Sequence, residues 1–438
     1  MTVDATSSEP YRVMIIGGGI GGLCLAQGLK RAGVGVAVYE RDRTPETRLQ
    51  GYRLNIEPVG ARALNACLPE YLWSLLLATA GDSGQPMGVF DERLNELMRE
   101  DANPASDSPL DATHSISRIT LRRLLLDGLA GEVMFDKTFV RYEMADGGKV
   151  TAFFADGTSA TADVLVGADG VGSRVRKQFL PHAREIDTAG VGIAGKLPLN
   201  AETESWVPAG LLGGKSMILP RKDFLFTAVF RKRERTPEVD ERLGLARSTA
   251  GLPMQAHEAD VLDQDYLMWA FVGHRSTFPS NLTSLGHAAL AALARDRMGG
   301  WHPALRRLPL ESGQDGIEIF EFRAAAPVRP WQSANVTLLG DAIHAMPPVG
   351  GVGGNIALQD ASRLCAALIE AASGRSTLGD ALSSYEAGML KYGFEAVRQT
   401  RLYLQLAISP SRLLRCVAKM FFRVCGSVPA LRRAVFQD

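Results

Sequence analysis

Three glycines near the amino terminus, Gly17, Gly19 and Gly22, stand in the spacing G-x-G-x-x-G within the stretch VMIIGGGIGG. That spacing suits phosphate binding. The first glycine permits a tight turn, the second lets backbone approach a pyrophosphate, and the third lets a helix pack closely on a strand. The amino end of such a helix adds unpaired N–H groups and a partial positive charge. Glu40 stands 18 residues beyond Gly22, where a carboxylate would accept hydrogen bonds from ribose hydroxyls. The implied chemistry is the holding of a dinucleotide, with NAD, NADP and FAD all open.

A second constellation lies far downstream, in NVTLLGDAIHAMPPVGGVGGNIALQDASRL, residues 335–364. A buried strand would deliver Asp341 to its carboxyl end, where a carboxylate can accept hydrogen bonds from the hydroxyls of a polyol chain. The run PPVGGVGG cannot form helix through its prolines and is open enough to bring N–H groups against a flat ring. A helix is expected to start near Asn355, with its positive end toward a ring edge that carries negative charge.

The elements that must position these residues follow from hydrophobic periodicity. YRVMIIG reads as a buried strand and VGVAVYE as another. Between them GLCLAQGLKRAG reads as a helix with apolar Leu23, Leu25, Ala26 and Leu29, ending at Gly33. That is a βαβ unit. The chain of 438 residues is 46% hydrophobic, enough for more than one core. Its 48 basic and 48 acidic residues cancel, which argues against a nucleic-acid partner and toward small-molecule chemistry. Five cysteines, Cys24, Cys67, Cys365, Cys416 and Cys425, form no CxxC pair and suggest neither a disulfide framework nor a zinc site. The seven histidines form no HExxH cluster, so no metal is expected. MTVDATSSEP lacks the basic start and apolar stretch of a signal peptide, and a cytoplasmic location is expected.

Three segments together resemble the flavoprotein monooxygenases of the para-hydroxybenzoate hydroxylase type, the group A single-component aromatic hydroxylases. The glycine motif is the first. DVLVGADGVGSRVRKQF, residues 163–179, resembles the family's DG motif, with Asp169, Gly170, Ser173 and Arg176 matching. Residues 335–364 resemble its GD motif, with Gly340, Asp341, His344, Pro348, Gly350, Gly351, Gly353, Asn355 and Asp360 in register. Val352 replaces the family's usual glutamine, and Gly354 a larger residue. The resemblance implies an α/β protein: a Rossmann-like FAD-binding domain (GR2-type), a β-sheet substrate domain and C-terminal helices. It also implies FAD as cofactor and NAD(P)H as a transient co-substrate. O2 would form a flavin C4a-hydroperoxide that hydroxylates or epoxidises an aromatic or polycyclic organic substrate. A dehydrogenase or oxidase, or a cyclase with structural FAD, could use the same scaffold.

The cofactor-binding residues implied are Gly17, Gly19, Gly22, Glu40, Arg41, Arg53, Arg118, Asp169, Asp341, Pro348, Gly351, Gly353, Gly354 and Asn355. Arg118 opens the leucine-rich stretch of SISRITLRRLLLDGL, where the family has a cofactor-contacting arginine. Arg48 and Arg53 fall in a stretch that the family runs beside the flavin. The DG motif implies contact with FAD and help to the visiting nicotinamide, while Arg176 reads nearly as well as half of a structural ion pair. The resemblance divides the chain into FAD-binding parts at 10–77, 113–185 and 327–380, substrate-domain strands at 78–112 and 186–326, and C-terminal helices at 381–438. Runs such as LFTAVFRK and YLMWAFVG read as its strands, and LTSLGHAALAALARDRM as a helix. His257, Tyr266, His274 and Arg275 are candidate acids and bases, and none is singled out as catalytic. Near the carboxyl end, SPSRLLRCVAKMFFRVCG places Arg412, Arg415, Lys419 and Arg423 opposite Leu413, Val417, Met420, Phe421 and Val424. It is too short and polar to cross a bilayer; packing against the body or a second subunit is the preferred reading and membrane contact is not expected, with interfacial binding through the basic face as the lesser alternative.

Overall fold

Strands that run apolar without alternation must be covered on both faces, and that is how the first sheet forms. The computed structural model describes residues 11–45, 53–81, 85–101, 108–231, 265–313, 316–332 and 335–436. Arg12–Ile16 lies at the centre of a five-stranded parallel sheet, in the order Val336–Leu338, Val164–Gly167, Arg12–Ile16, Gly35–Tyr39, Val133–Met134. Register pairs Met14 with Leu165, Leu165 with Val336, and Val13 with Val36. The helices Ile20–Arg31 and Val352–Ala372 pack against each other over the sheet, and Leu23, Leu25, Leu358 and Leu364 join the same core. Because the strands are parallel, the ends that lead into the glycine, DG and GD motifs fall on one edge.

A second core lies under a seven-stranded sheet in the order Glu318–Ala325, Glu185–Pro198, Tyr266–His274, Phe224–Phe230, Gly214–Leu219, Gln85–Asp91, Glu96–Arg99. All its neighbours are antiparallel except Gln85–Asp91, which runs parallel to Gly214–Leu219. Alternation divides its faces. Leu225, Leu267, Trp269, Phe271 and Ile193 pack with Leu290 and Ala294 of helix His287–Arg297 and with Leu305 and Leu308 of helix Pro303–Glu311. On the other face Val272 and Phe322 meet Leu404 and Ile408 of the long helix Leu378–Ile408.

One expectation about the helices is corrected and another is met. The GD helix begins at Val352, not near Asn355. Gly350 and Gly351 take positive φ of 77° and 69°, which turns the chain sharply enough for helix to start directly behind them. Gly353 and Gly354 then fall in the first turn, where N–H groups need no intrahelical partner. The amphipathic helix Arg412–Ser427 packs against the body as expected, with Arg415 buried and Lys419 turned inward, Arg412 and Arg423 exposed, and its apolar stripe facing out.

Within the core under the seven-stranded sheet, Trp269 Nε1–H donates to Ser312 Oγ at 2.7 Å. Ser312→Ala leaves that indole N–H without a partner in a dry environment, so urea unfolding should reveal a loss of about 1–3 kcal/mol.

Candidate functional site

Each glycine of the first motif does something different. Gly17 has φ of 112°, and a Cβ there would overlap the Ala168 carbonyl. A Cβ on Gly22 would overlap the Gly17 carbonyl oxygen, so helix and turn touch through backbone alone. Gly19 has open space where its Cβ would stand. It caps the helix Ile20–Arg31, whose first turn has no acidic residue and no side-chain cap. The helix end is therefore an anion site open at Gly19. Glu40 is buried at the end of strand Gly35–Tyr39, accepting from Gly18 N–H at 2.7 Å and Asp42 N–H at 2.9 Å. An ionised carboxylate has about four acceptor sites, so lone pairs remain for hydroxyl donors. Arg41 follows it and is exposed.

Asp169 leaves the neighbouring strand Val164–Gly167 beside the glycine turn. Its Oδ2 accepts from Arg174 N–H at 2.7 Å and Val175 N–H at 3.3 Å, while its Oδ1 is buried without a protein partner. Ser173 caps the following helix by accepting from Arg176 N–H at 2.9 Å. Arg176 is buried and donates to the carbonyls of Ala342 at 3.0 Å and Val171 at 2.9 Å, and to Glu185 at 2.8 Å. Those bonds make it a strut between the DG helix and the GD turn.

The GD turn rests on Asp360. Its Oδ2 accepts from Gly340 N–H at 2.7 Å and lies 2.6 Å from His344 Nε2, and its Oδ1 accepts from Tyr392 O–H at 2.6 Å. His344 is fully buried, which by itself would lower its pKa, but the charge and hydrogen bond of Asp360 outweigh burial and raise it. Burial and the same carboxylate push the Tyr392 hydroxyl upward. Asp341, one residue past Gly340, stands exposed in a recess walled by protein. Desolvation raises its pKa against the opposing charges of His344 and Arg118. Arg118, whose charge acts on Asp341, stands at the corner where strand His114–Ser117 turns into helix Arg118–Leu126.

The helix Val352–Ala372 starts beside this recess. Gly353 approaches Asp341, and Gly354 faces the side chains of Ile20 and Leu54. Gly351 is open, and Pro348 is exposed. Asn355 is buried, its amide donating to Asn55 carbonyl at 2.9 Å and accepting from Glu57 N–H at 2.9 Å. It ties the helix to the strand Arg53–Ile56, which pairs Arg53 with Ser117 next to Arg118. Arg48 and His257 lie outside the described residues. Tyr266 and His274 lie at the two ends of strand Tyr266–His274, and Arg275 in the turn after it, each with local partners: Tyr266 meets Phe230 at a tilt and lies under Lys196, His274 bonds Ser276, and Arg275 pairs with Asp187 and Glu321.

Two contributions escaped the sequence. Tyr392 completes the Asp360 network from a helix 32 residues away, and no local pattern signals it. The face of the seven-stranded sheet that reaches the GD loop carries Phe224, Ala270 and Phe320, which pack against the core of Val272, Phe322, Leu404 and Ile408 that Val349 also joins. Phe226 and Met268 continue that face. Period-two alternation marks these residues as one face, without saying which one meets the loop.

The residues present fit a flavin dinucleotide. The helix end open at Gly19, the partnerless buried Oδ1 of Asp169 and the recessed Asp341 supply an anion site and hydroxyl acceptors along one edge of the sheet. Comparison with known proteins agrees. The family model for the FAD binding domain matches residues 308–400, and that for the NAD(P)-binding Rossmann-like domain matches residues 15–76. A solved Photorhabdus luminescens chain assigned as an FAD containing monooxygenase is 35% identical, with a TM-score of 0.78 over 91% of this chain and 98% of that one. Klebsiella pneumoniae HpxO shares the fold at 22% identity and a TM-score of 0.72, over 94% of this chain and 93% of its own. The dual O-methyltransferase/FAD-dependent monooxygenase elcB of Phaeosphaeria nodorum is 33% identical over 378 residues, 80% of this chain, which spans 39% of that relative's length. The chain belongs to the FAD-dependent monooxygenases of the para-hydroxybenzoate hydroxylase-like group. FAD is its cofactor.

The Asp360 network has a pH signature. Because His344 titrates above its ordinary value, its protonated form contributes stability fully below about pH 6.5, and that contribution is lost as pH rises through the folded value. The stability gap between wild type and His344→Gln should therefore narrow as pH is raised above about 6.5, read from denaturant midpoints at each pH.

Proposed function

We propose that this protein is a monooxygenase that takes reducing equivalents from NAD(P)H, consumes O2 and places one oxygen atom on an aromatic or polycyclic organic substrate by hydroxylation or epoxidation. The observation that carries the substrate class is the apolar sheet face over the GD loop. Phe224, Phe226, Met268, Ala270 and Phe320 are all half-buried, and Val349 of the loop packs against the same core of Val272, Phe322, Leu404 and Ile408 as Phe224, Ala270 and Phe320. A flat apolar ring held there would gain contact with aromatic side chains. In support, HpxO has been solved with FAD and uric acid together.

Bound FAD supplies hydride acceptance from the nicotinamide and the activation of oxygen. The chain's own residues bind and orient it. The first turn at Gly17, Gly19 and Gly22 would hold the pyrophosphate. Glu40 would accept from the ribose, with Arg41 beside it. Asp169 and Asp341 would accept from cofactor hydroxyls, and Arg118 balances the charge of Asp341. Pro348, Gly351, Gly353 and Gly354 would bring backbone to the ring, and the amino end of their helix would favour negative charge there. Asn355 positions that helix end, and the Arg53 strand, through its bonds to Asn55 and Glu57. No described side chain needs to act as a nucleophile, since the oxidising chemistry belongs to the cofactor.

Anaerobic spectroscopy tests the reaction. NADH or NADPH should bleach the flavin, faster in the presence of a suitable aromatic or polycyclic compound, and readmitted oxygen should yield a product heavier by one oxygen. Reduction by an organic substrate alone, with no response to either nicotinamide, would overturn the reading in favour of a dehydrogenase or oxidase. A product of unchanged mass would point to a cyclase.

A separate test addresses the cofactor assignment. Gly19 has extended backbone and open space around its Cβ, so Gly19→Val should leave the melting temperature of flavin-free protein unchanged. Its flavin affinity should fall by about tenfold or more, equivalent to roughly 1.4 kcal/mol, measured by fluorescence titration with FAD.

A further inference from the structure

The carboxyl-terminal helices are amphipathic in the reverse of the usual sense. Leu413, Val417, Met420, Phe421 and Val424 form one stripe along helix Arg412–Ser427, and Val428, Leu431 and Val435 continue it along helix Pro429–Phe436. Leu413 is 76% exposed and Met420 is 68% exposed, values that a helix packed by its apolar face would not show. Inward, the cations anchor the helix. Lys419 pairs with Glu92, Arg423 reaches Asp91 at 4.0 Å, and Arg432 pairs with Asp101. The buried Arg415 donates to the carbonyls of Ala407 and Ser409. Cys425 is buried with Val89, Leu97, Met98 and Leu219 of the sheet edge, and a Cβ on Gly426 would overlap the Leu97 carbonyl.

This is a built arrangement, because inverting the helix would expose the charged anchors' partners and strand the buried Cys425. What covers the stripe is indicated by charge. Between Glu395 and Asp438 the chain has eight Lys and Arg residues and no acidic one; Arg398, Lys419, Arg423 and Arg432 pair with carboxylates and Arg415 is buried, so the charge presented beside the stripe comes from Arg412 and Arg433. Arg412 and Arg433 stand exposed beside the stripe. A second copy seated here would bring Arg412 and Arg433 of both copies to one interface with no carboxylate in the same segment to pair them, which weakens association. A bilayer carrying anionic lipids offers both what the stripe lacks and what the cations attract. Among the described residues no helix is long and apolar enough to cross a membrane, so the contact lies in the plane of the interface.

We propose that the apolar stripe of helices Arg412–Ser427 and Pro429–Phe436 docks the protein onto an anionic lipid surface. The docked helix rests on strand Glu96–Arg99, so the edge of the aromatic-faced sheet is held next to the lipid.

Flotation of the full-length flavin-loaded protein tests this, using vesicles of phosphatidylcholine alone or mixed with phosphatidylglycerol. The protein should float with the mixed vesicles, less with phosphatidylcholine alone, and less again as salt is raised. The double variant Leu413→Glu, Met420→Glu changes two exposed positions and should keep its fold and bound flavin, while its partitioning drops by about tenfold or more. Failure of the wild type to float with mixed vesicles, or equal flotation of the variant, would overturn the proposal. So would a concentration-dependent dimer in light scattering that the double variant abolishes while vesicles bind neither protein. That result would assign the stripe to a second copy.

Discussion

A single buried carboxylate, Asp360, sets the geometry on which the site depends. Ionised, it would be costly to bury, and it is tolerable because Gly340 N–H, His344 and Tyr392 O–H all converge on it. Three donors from two segments, the Gly340–His344 turn and the helix of Tyr392, leave little freedom in how those segments meet the helix of Asp360. The turn after strand Val336–Leu338 is thereby held with Asp341 presented into the recess, and His344 is fixed under Gly393, whose Cβ would come within 2.6 Å of the ring. Removing any one donor would leave charge or polarity without a partner in a dry interior.

The second constraint is the meeting of two helix ends. Gly21 packs against Leu339 and Ala357, and Gly354 against Ile20, so the amino ends of helices Ile20–Arg31 and Val352–Ala372 lie side by side. Two partial positive charges placed together are unfavourable in isolation and become useful when an anionic ligand spans them. Arg176 and Asn355 keep this arrangement rigid from opposite sides, one through the Ala342 carbonyl and the other through Asn55 and Glu57. Neither residue needs to touch a ligand to matter for binding it.

The seven-stranded sheet divides its labour by face. One face is sealed by helices and by the Trp269 to Ser312 hydrogen bond, which gives it a stable core of its own. The other is left half-covered where it approaches Val349, and its residues are apolar and largely aromatic. The carboxyl-terminal helices apply the same principle at the sheet edge, where polar anchoring inward leaves hydrophobic surface outward. Surface of that kind on a folded chain ordinarily marks contact with something.

What the sequence determined by itself was local. The glycine turn, its flanking strands and Glu40 fall within some thirty residues, so strand, turn and helix propensities suffice to place them. The strand ending at Asp341 and the glycines behind it were legible for the same reason, and the three motifs in order indicated the fold. Tertiary structure decided what long-range partners decide. Arg176 became a strut because Ala342, 166 residues away, offers it a carbonyl, and Asn355 became a tie because Asn55 lies 300 residues earlier in the chain. Periodicity separated the two faces of helix Arg412–Ser427 correctly, but a pattern says only that two faces differ. Which one turned inward depended on Glu92, 327 residues from Lys419, and on the acidic edge around it.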